Sequence, residues 1–374
     1  MKLSLKKHSI FFYAVAIFST CLGSLNKPKV LHIGFHLGCI KDFEDVAKEL
    51  SINLTSWFIF SKPLEYLDGT SKDFKVYNIT HDKAQRIWDR HHSYFEQFDI
   101  ILISDTAPLA RAFLQNNFAK PLIIWICNRF DYDHGGFEEG FPDTQYYDLF
   151  RKACTQKNVK IVGYTAYEHT YAHLKGVPTS GMIIKPFGSP QEAALRYDAQ
   201  SNIPAHVQKN QTLFLYPQLR DEQFLFIKNE CNKIGMPTYS GKFNGPNDLI
   251  NFKGVVYFPY QVSNLVFFEG INRGIIFFVP SKRFFKSLVA EEKVKVCNYS
   301  FAQRMDEFID QMEWYLDWHQ DILVYFDSWA DLKQKVATLD YDAMRTKVKS
   351  FGAFHRLSTI SRWKKIFSEL ENNL

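Results

Sequence analysis

At 374 residues the chain is too long for one ordinary hydrophobic core, which points to two domains. Its 46% hydrophobic and 23% charged residues exclude a disordered or low-complexity chain. A formal net charge of +5, with no dense Lys/Arg stripe beyond the N-terminus, argues against a nucleic-acid partner and leaves an anionic small molecule open.

In chain order, Lys2, Lys6 and Lys7 precede an apolar run over residues 10–18 and small residues up to Gly23. This is the pattern of a secretory signal peptide or a short signal anchor. Residues 1–23 are therefore expected to lie outside the fold and to send the chain to the secretory pathway or cell envelope. Membrane association through this segment follows, with the cytoplasmic face of a membrane as the alternative. From residue 24 on, strands are predicted at 30–33, 54–60, 76–79, 100–103, 122–127, 160–162 and 182–184. Helices are predicted at 40–50, 83–95, 109–114, 145–155 and 167–174. Nearly all-apolar strands alternating with helices argue a parallel sheet covered on both faces. Residues 189–210 are polar and punctuated by Pro190 and Pro204, as suits an interdomain linker.

A second series follows, with strands at 213–216, 238–240, 255–258, 275–279 and 323–325. Its helices are predicted at 222–234, 246–252, 261–273 and 329–338. A last helix at 359–370 offers Trp363, Ile366 and Phe367 as a packing face. The domains are then 24–188, a linker at 189–210, 211–350, and a C-terminal helical segment at 351–374. Of the six cysteines, Cys21, Cys39, Cys127, Cys154, Cys231 and Cys297, none forms a Cys-x-x-Cys pair, which argues against a zinc site.

Candidate chemistry gathers after the strands, where open α/β sheets bind ligands. Gly34 and Gly38 flank His36 after the first strand. Glycines there let backbone approach a ligand closely, and an imidazole titrating near pH ~6.5 suits removal of a hydroxyl proton. The alternative is a tight turn with an exposed His. Asp105 is either a cleft carboxylate able to act as base or a helix cap ahead of Pro108. Arg129, Asp131 and Asp133 follow the strand at 122–127. They read as polar acceptor contacts or as an Asp-x-Asp metal and diphosphate set. Arg220 and Lys242 are cations near strand ends that suit phosphates, or solvated surface residues. Glu269 is a lone carboxylate inside an apolar helix. Its burial would be costly without a partner, so it is expected to face a cleft and a polar ligand.

The stretch 258–280 resembles the donor-binding signature of retaining GT-B glycosyltransferases. There a Pro-containing strand end leads to an acidic position, a Glu eight residues later, a Gly five beyond that, and an apolar strand. Glu269 and Gly274 match the second half, while Gln261 stands at the first acidic position. The resemblance implies that Glu269 holds the ribose hydroxyls of a nucleotide sugar. It places Gln261, with Ser263 and Asn264 beside it, near the donor, and Arg220 on the donor phosphates. The family's Lys five residues after that Arg is Leu225 here. It also implies that Gly34 and Gly38 face the donor, that His36 meets the reacting sugar, and that Arg129 and Asp131 contact the acceptor. The implied fold is α/β, two Rossmann-like domains facing a central cleft in the GT-B manner, with the last helix crossing back to the first domain. The implied activity is transfer of a sugar from a nucleotide sugar to a glycan, a lipid-linked acceptor or another hydroxyl, with no cofactor and no divalent metal. Two other readings share these residues. One is a metal-dependent GT-A-type transferase using Asp131 and Asp133; the other is an exported two-lobed sugar-binding protein without catalysis.

Overall fold

The computed structural model describes residues 27–61, 66, 78–132, 143–189, 203–218, 220–296 and 302–371. The expected signal segment, Asp133, Cys21 and Cys297 lie outside these residues. Among the described residues no helix is long and apolar enough to cross a membrane.

Two five-stranded sheets, wholly parallel in their pairings, organise the chain. The first holds β1 (Lys29–Gly34), β2 (Asn53–Phe58), β3 (Ile100–Asp105), β4 (Leu122–Ile126) and β5 (Val159–Gly163), in the order β2-β1-β3-β4-β5. The second holds β6 (Leu213–Leu215), β7 (Thr238–Tyr239), β8 (Gly254–Val256), β9 (Phe277–Pro280) and β10 (Leu323–Phe326), in the order β10-β9-β8-β6-β7. Read from its other edge, the second sheet repeats the order of the first. Strands such as β3 and β4 are buried at every position, because helices cover both faces.

Helix α1 (Leu37–Leu50) follows β1, and α2 (His81–Phe95) precedes β3. A 3-10 turn at Ala107–Ala110 leads into α3 (Arg111–Gln115). Then come α4 (Thr144–Ala153) and α5 (Ala166–Leu174), the latter opened by a Thr165/Glu168 capping box. The second half carries α6 (Asp221–Lys233), α7 (Pro246–Leu249), α8 (Leu265–Arg273), α9 (Lys282–Ala290), α10 (Met305–Phe308), α11 (Trp329–Thr338) and α12 (Tyr341–Glu371).

Four expectations change. The strand at 182–184 reduces to one bridge between Gly163 and Ile183. The strand at 76–79 falls largely outside the described residues, and Asn78 and Ile79 are not in a strand. Helix α8 starts at Leu265, not 261. Asn264 caps it by accepting the Val266 N–H at 3.1 Å, which leaves residues 261–263 as loop. Gly274, at φ +73°, ends it in the left-handed conformation that favours glycine.

The last helix is the largest difference. It spans 31 residues from Tyr341, and one stripe of buried positions runs along it from Val348 to Leu370, past both domains. Near its middle, Gly352 lies against Ile271 and Asn272 of α8; a Cβ there would come within 2.8 Å of the Ile271 carbonyl oxygen. Further on, Trp363 is fully buried, its ring 5.0 Å from those of Phe43 and Trp125, and it clusters with Ile366, Phe367 and Leu370. The helix thus crosses from the second domain to the first.

Between the domains, Phe187 and Gly188 are gripped from both sides. Asp42 of α1, 2% exposed, accepts their backbone N–H groups at 2.9 and 2.7 Å. Asn272 of α8 donates to both of their carbonyls. Gly188 has φ +69°, and a Cβ there would lie 2.6 Å from the Phe268 carbonyl, so only glycine fits.

Candidate functional site

Equal strand order puts the two switch points, between β1 and β3 and between β6 and β8, at corresponding places in the two sheets. A cleft of about 530 Å³ opens where the loops after these strands face each other. Its size suits a small-molecule ligand. From the first domain it is lined by residues that follow β1 (Phe35, His36, Gly38, Cys39), end β3 (Asp105), or follow β4 and β5 (Cys127, Asn128, Tyr132, Tyr164). The second domain supplies Tyr216, Phe243, Tyr260, Gln261, Ser263, Asn264 and Glu269, among others.

Gly38 touches the opposite domain. A Cβ there would lie 2.6 Å from Leu265 Cδ1, so the bare backbone permits the close approach. Gly34 serves a different need. Its Cβ would strike Ser104 Oγ at 2.7 Å and Ile40 Cδ1 at 2.9 Å, so it is a packing glycine beneath the site and is not part of the cleft lining.

His36 caps α1, its Nδ1 accepting the Gly38 N–H at 3.1 Å. A hydrogen bond with Cys39, helped by the charges of Asp105 and Glu269, raises the imidazole from its ordinary 6.5 to about 9 against the cost of burial. The cap bond uses the Nδ1 lone pair, so in this geometry Nδ1 carries no proton and Nε2 is the ring's donor. His36 is thus placed as a hydrogen-bond donor rather than as the free base expected from an unperturbed imidazole.

Asp105 is 6% exposed and has φ +67°, a left-handed conformation that strains a non-glycine residue. Its Oδ1 accepts from Asn128 Nδ2 at 2.8 Å, and its N–H points at Cys127 Sγ, 3.3 Å away. It does not cap the turn at Ala107–Ala110, whose N-cap Thr106 makes no side-chain cap bond. Glu269 is half-buried on α8. Burial pushes its carboxyl from 4.5 up to about 7, while the charges of Arg273 and His36 pull it down. His36 and Glu269 thus sense each other across the two domains. Arg273 is itself locked, donating to Asn247 Oδ1 and to the Ser189 and Glu269 carbonyls. Ser263 Oγ is buried and finds no hydrogen-bond partner among the described residues, next to the first turn of α8.

Other expected residues fall elsewhere. Arg220 is exposed at the N-cap of α6, and Lys242 is exposed with its carbonyl facing the Tyr239 hydroxyl at 3.4 Å; neither lines the cleft. Asp131 turns into a tyrosine cluster, accepting from Tyr147 Oη at 2.5 Å and Tyr171 Oη at 3.1 Å. Burial, with the Asp131 charge next, pushes both phenols up. Arg129 lies over the rings of Tyr132 and Tyr171, and neither Arg129 nor Asp131 is part of the lining. Among the described residues no three His, Cys, Asp or Glu side chains are grouped to hold a metal ion.

The sequence reading missed Cys39, Cys127, Asn128, Tyr132, Tyr164 and the aromatic group Tyr216, Phe243 and Tyr260 as lining residues. All but two of these follow a parallel strand by a few residues. Strand ends alone therefore carried the signal, whatever the residue type.

No family model matches the chain, and no curated protein matches it in sequence. Solved structures do. Sucrose-phosphate synthase from Thermosynechococcus elongatus is 8% identical over 93% of this chain and 100% of its own, with a TM-score of 0.50. UGT89C1 of Arabidopsis thaliana, complexed with UDP, is 12% identical over 92% of this chain and 100% of its own, at 0.49. A putative UDP-N-acetylglucosamine 2-epimerase from Listeria monocytogenes is 13% identical over 92% and 98%, at 0.46. At such identities the likeness is one of fold. Taken with two sheets of equal strand order meeting at one cleft and a last helix crossing between them, it settles the architecture: the chain has the GT-B fold of nucleotide-sugar glycosyltransferases.

Proposed function

We propose that the protein is a glycosyltransferase that moves a sugar from a nucleotide-sugar donor to a hydroxyl acceptor, a glycan or a lipid-linked glycan, without a divalent metal. The observation that most supports this is the meeting of Glu269 from one domain with His36 and Asp105 from the other in one cleft. In this reading Glu269 accepts hydrogen bonds from the ribose hydroxyls. The diphosphate lies against the first turn of α8, whose N–H groups and dipole favour an anion, with the Ser263 hydroxyl as a further donor. That helix end takes over the role expected of Arg220 and Lys242. His36, donating through Nε2, stabilises the charge that develops on the leaving diphosphate, which is the task a metal would otherwise perform. Transfer breaks the bond from the sugar C1 to the diphosphate oxygen and makes one from C1 to the acceptor oxygen. The acceptor's proton passes to Asp105. The basic and apolar N-terminus favours a site of action in the secretory pathway or cell envelope.

The test is a thermal-shift series with nucleoside diphosphates, UDP first, with and without EDTA, followed by transfer assays. A ligand at 100 times its Kd stabilises by about 2.7 kcal/mol, a readable shift. The expected result is a rise in Tm that EDTA does not remove. Binding that needs Mn²⁺ would favour the metal-dependent reading. Conversion of the nucleotide sugar with no acceptor present would favour an epimerase. Binding of free sugars without nucleotides would favour the non-catalytic reading.

A further inference from the structure

The outward face of α12 carries a feature that neither packing nor sugar transfer calls for. Gly352, His355, Thr359, Trp363 and Ile366 recur at helical spacing on the buried side of this helix. On the opposite side Phe354, Leu357, Ser361 and Lys364 recur at the same spacing, with Lys365 beside them, and all five are exposed. Phe354 is 69% exposed and Leu357 72%, more than any other large hydrophobic side chain among the described residues. The charge around them is one-sided. Between Asp342 and Glu369 the sequence carries Lys and Arg throughout and no carboxylate. Toward the start of the helix these cations are engaged: Arg345 donates to the Phe252 carbonyl at 2.7 Å, and Lys347 pairs with Asp321 at 3.3 Å. Toward its end Glu369 already receives Lys160 at 2.9 Å. The positive end of the outward face is therefore Lys364 and Lys365, about 10 Å along the helix from Leu357.

We propose that this face, from Phe354 to Lys365, docks the protein on an anionic lipid surface. A helix packed on one side, with exposed apolar side chains and lysines on the other, can lie in the plane of a bilayer. Its apolar side chains enter the acyl boundary while the lysine stems reach the phosphates. A nucleic acid or an acidic protein would engage the lysines and leave Phe354 and Leu357 in water, whereas a bilayer uses both. The place of the face in the fold agrees. Val30 of β1 shares one buried cluster with Trp363, Ile366 and Leu370. The expected signal or anchor segment joins the first domain through β1, so a chain held by that segment has the end of α12 on the same layer of the domain. Because α12 crosses from the second domain to the first, docking along it holds both domains at the surface. None of these residues lines the cleft, and lipid binding needs no nucleotide sugar, so this proposal and the transferase reading stand or fall separately.

The experiment floats the full-length protein with vesicles of phosphatidylcholine alone, or of phosphatidylcholine and phosphatidylglycerol in equal parts, the latter also carrying a photoactivatable phospholipid. Lipid adducts mapped by mass spectrometry are expected on α12 between residues 353 and 365. The N-terminal segment is the same in every variant, so differences between variants report α12. Phe354→Ser with Leu357→Ser should weaken binding by about a hundredfold, since burying each side chain is worth about tenfold. Lys364→Gln with Lys365→Gln should weaken it by about thirtyfold, on the anionic vesicles only. Neither pair should change the melting temperature, because all four side chains point away from the core. Absence of adducts on α12 in protein that floats overturns the proposal, whatever else holds the chain to the vesicle. Retention on heparin without flotation would make the face a polyanion site, and a dimer lost in the Phe354→Ser, Leu357→Ser variant would make it an interface between copies; either result overturns it.

Discussion

Glu269 gives the sharpest test, because its place in the cleft runs against the stability of the fold. Burial holds its carboxyl at about 7 instead of 4.5, so the native state resists ionising it. The folded pKa is raised. The contribution of this group is therefore fully present below the unfolded value near 4.5 and is lost as pH rises through about 7. At about 1.4 kcal/mol for each pH unit, the ionised carboxylate costs the fold about 3 kcal/mol above that range. Glu269→Gln keeps the shape and removes the charge. Its gain over the wild type should be near zero at about pH 4, grow through the interval, and level off at about 3 kcal/mol by about pH 8. The same substitution should weaken binding of a nucleoside diphosphate by about 1.5–3 kcal/mol, since a charged acceptor is lost. Denaturant unfolding at the two pH values, with titration calorimetry on the same samples, reads both. A variant no more stable at pH 8, or equally stabilised at both, would refute the reasoning that a buried carboxylate is held ready for a ligand.

Trp363→Ala should destabilise by about 3–5 kcal/mol, because it removes a fully buried ring wedged between Phe43 and Trp125 where α12 docks on the first domain; denaturant unfolding checks it. Lys185→Met should cost about 3–5 kcal/mol, because it strands the fully buried Glu313 carboxylate, which now receives the ammonium at 2.6 and 2.5 Å; adding Glu313→Gln should restore most of the loss in the same assay.

Much of the fold was legible because buried parallel strands are read from apolar runs alone. β3 and β4 are buried at every position, and their expected positions lie within a residue or two of the observed ones. The last helix was legible only in its second half. Its early turns bury Val348, Gly352 and His355 against the second domain, and its late turns bury Trp363, Ile366 and Leu370 against the first. These positions recur at helical spacing on one stripe with Thr359 between them, but after Val348 its early members are Gly, His and Thr, so apolarity marked the stripe only from Trp363 on. At the site, Glu269 stood out because a carboxylate in an apolar helix needs a reason. Arg220 and Lys242 were named from charge and strand position, yet both are exposed and outside the cleft lining, and charge alone does not say where a loop turns. That Cys39 and Cys127 line the same cleft had no sequence signal, since 88 positions separate the two and only the β1-β3-β4 order brings them there.

The same helices that bring charge into the cleft also hold the hinge. His36 caps α1, and six residues on Asp42 grips the Phe187 and Gly188 amides. Glu269 lies on α8, and three residues on Asn272 grips the carbonyls of that same pair. Each helix thus carries both a cleft residue and a residue that holds the segment between the domains. Any rotation of the domains about residues 187–188 therefore changes the separation of His36 and Glu269 directly, with no intervening loop to absorb it. A ligand bridging the two groups gains most in one domain arrangement, and that differential affinity is what a closing equilibrium requires. The Lys185–Glu313 pair, two residues before Phe187, ties the same segment to the second domain. Cleft and interdomain segment are thus joined through two helices, with six residues between the two contacts in one and three in the other.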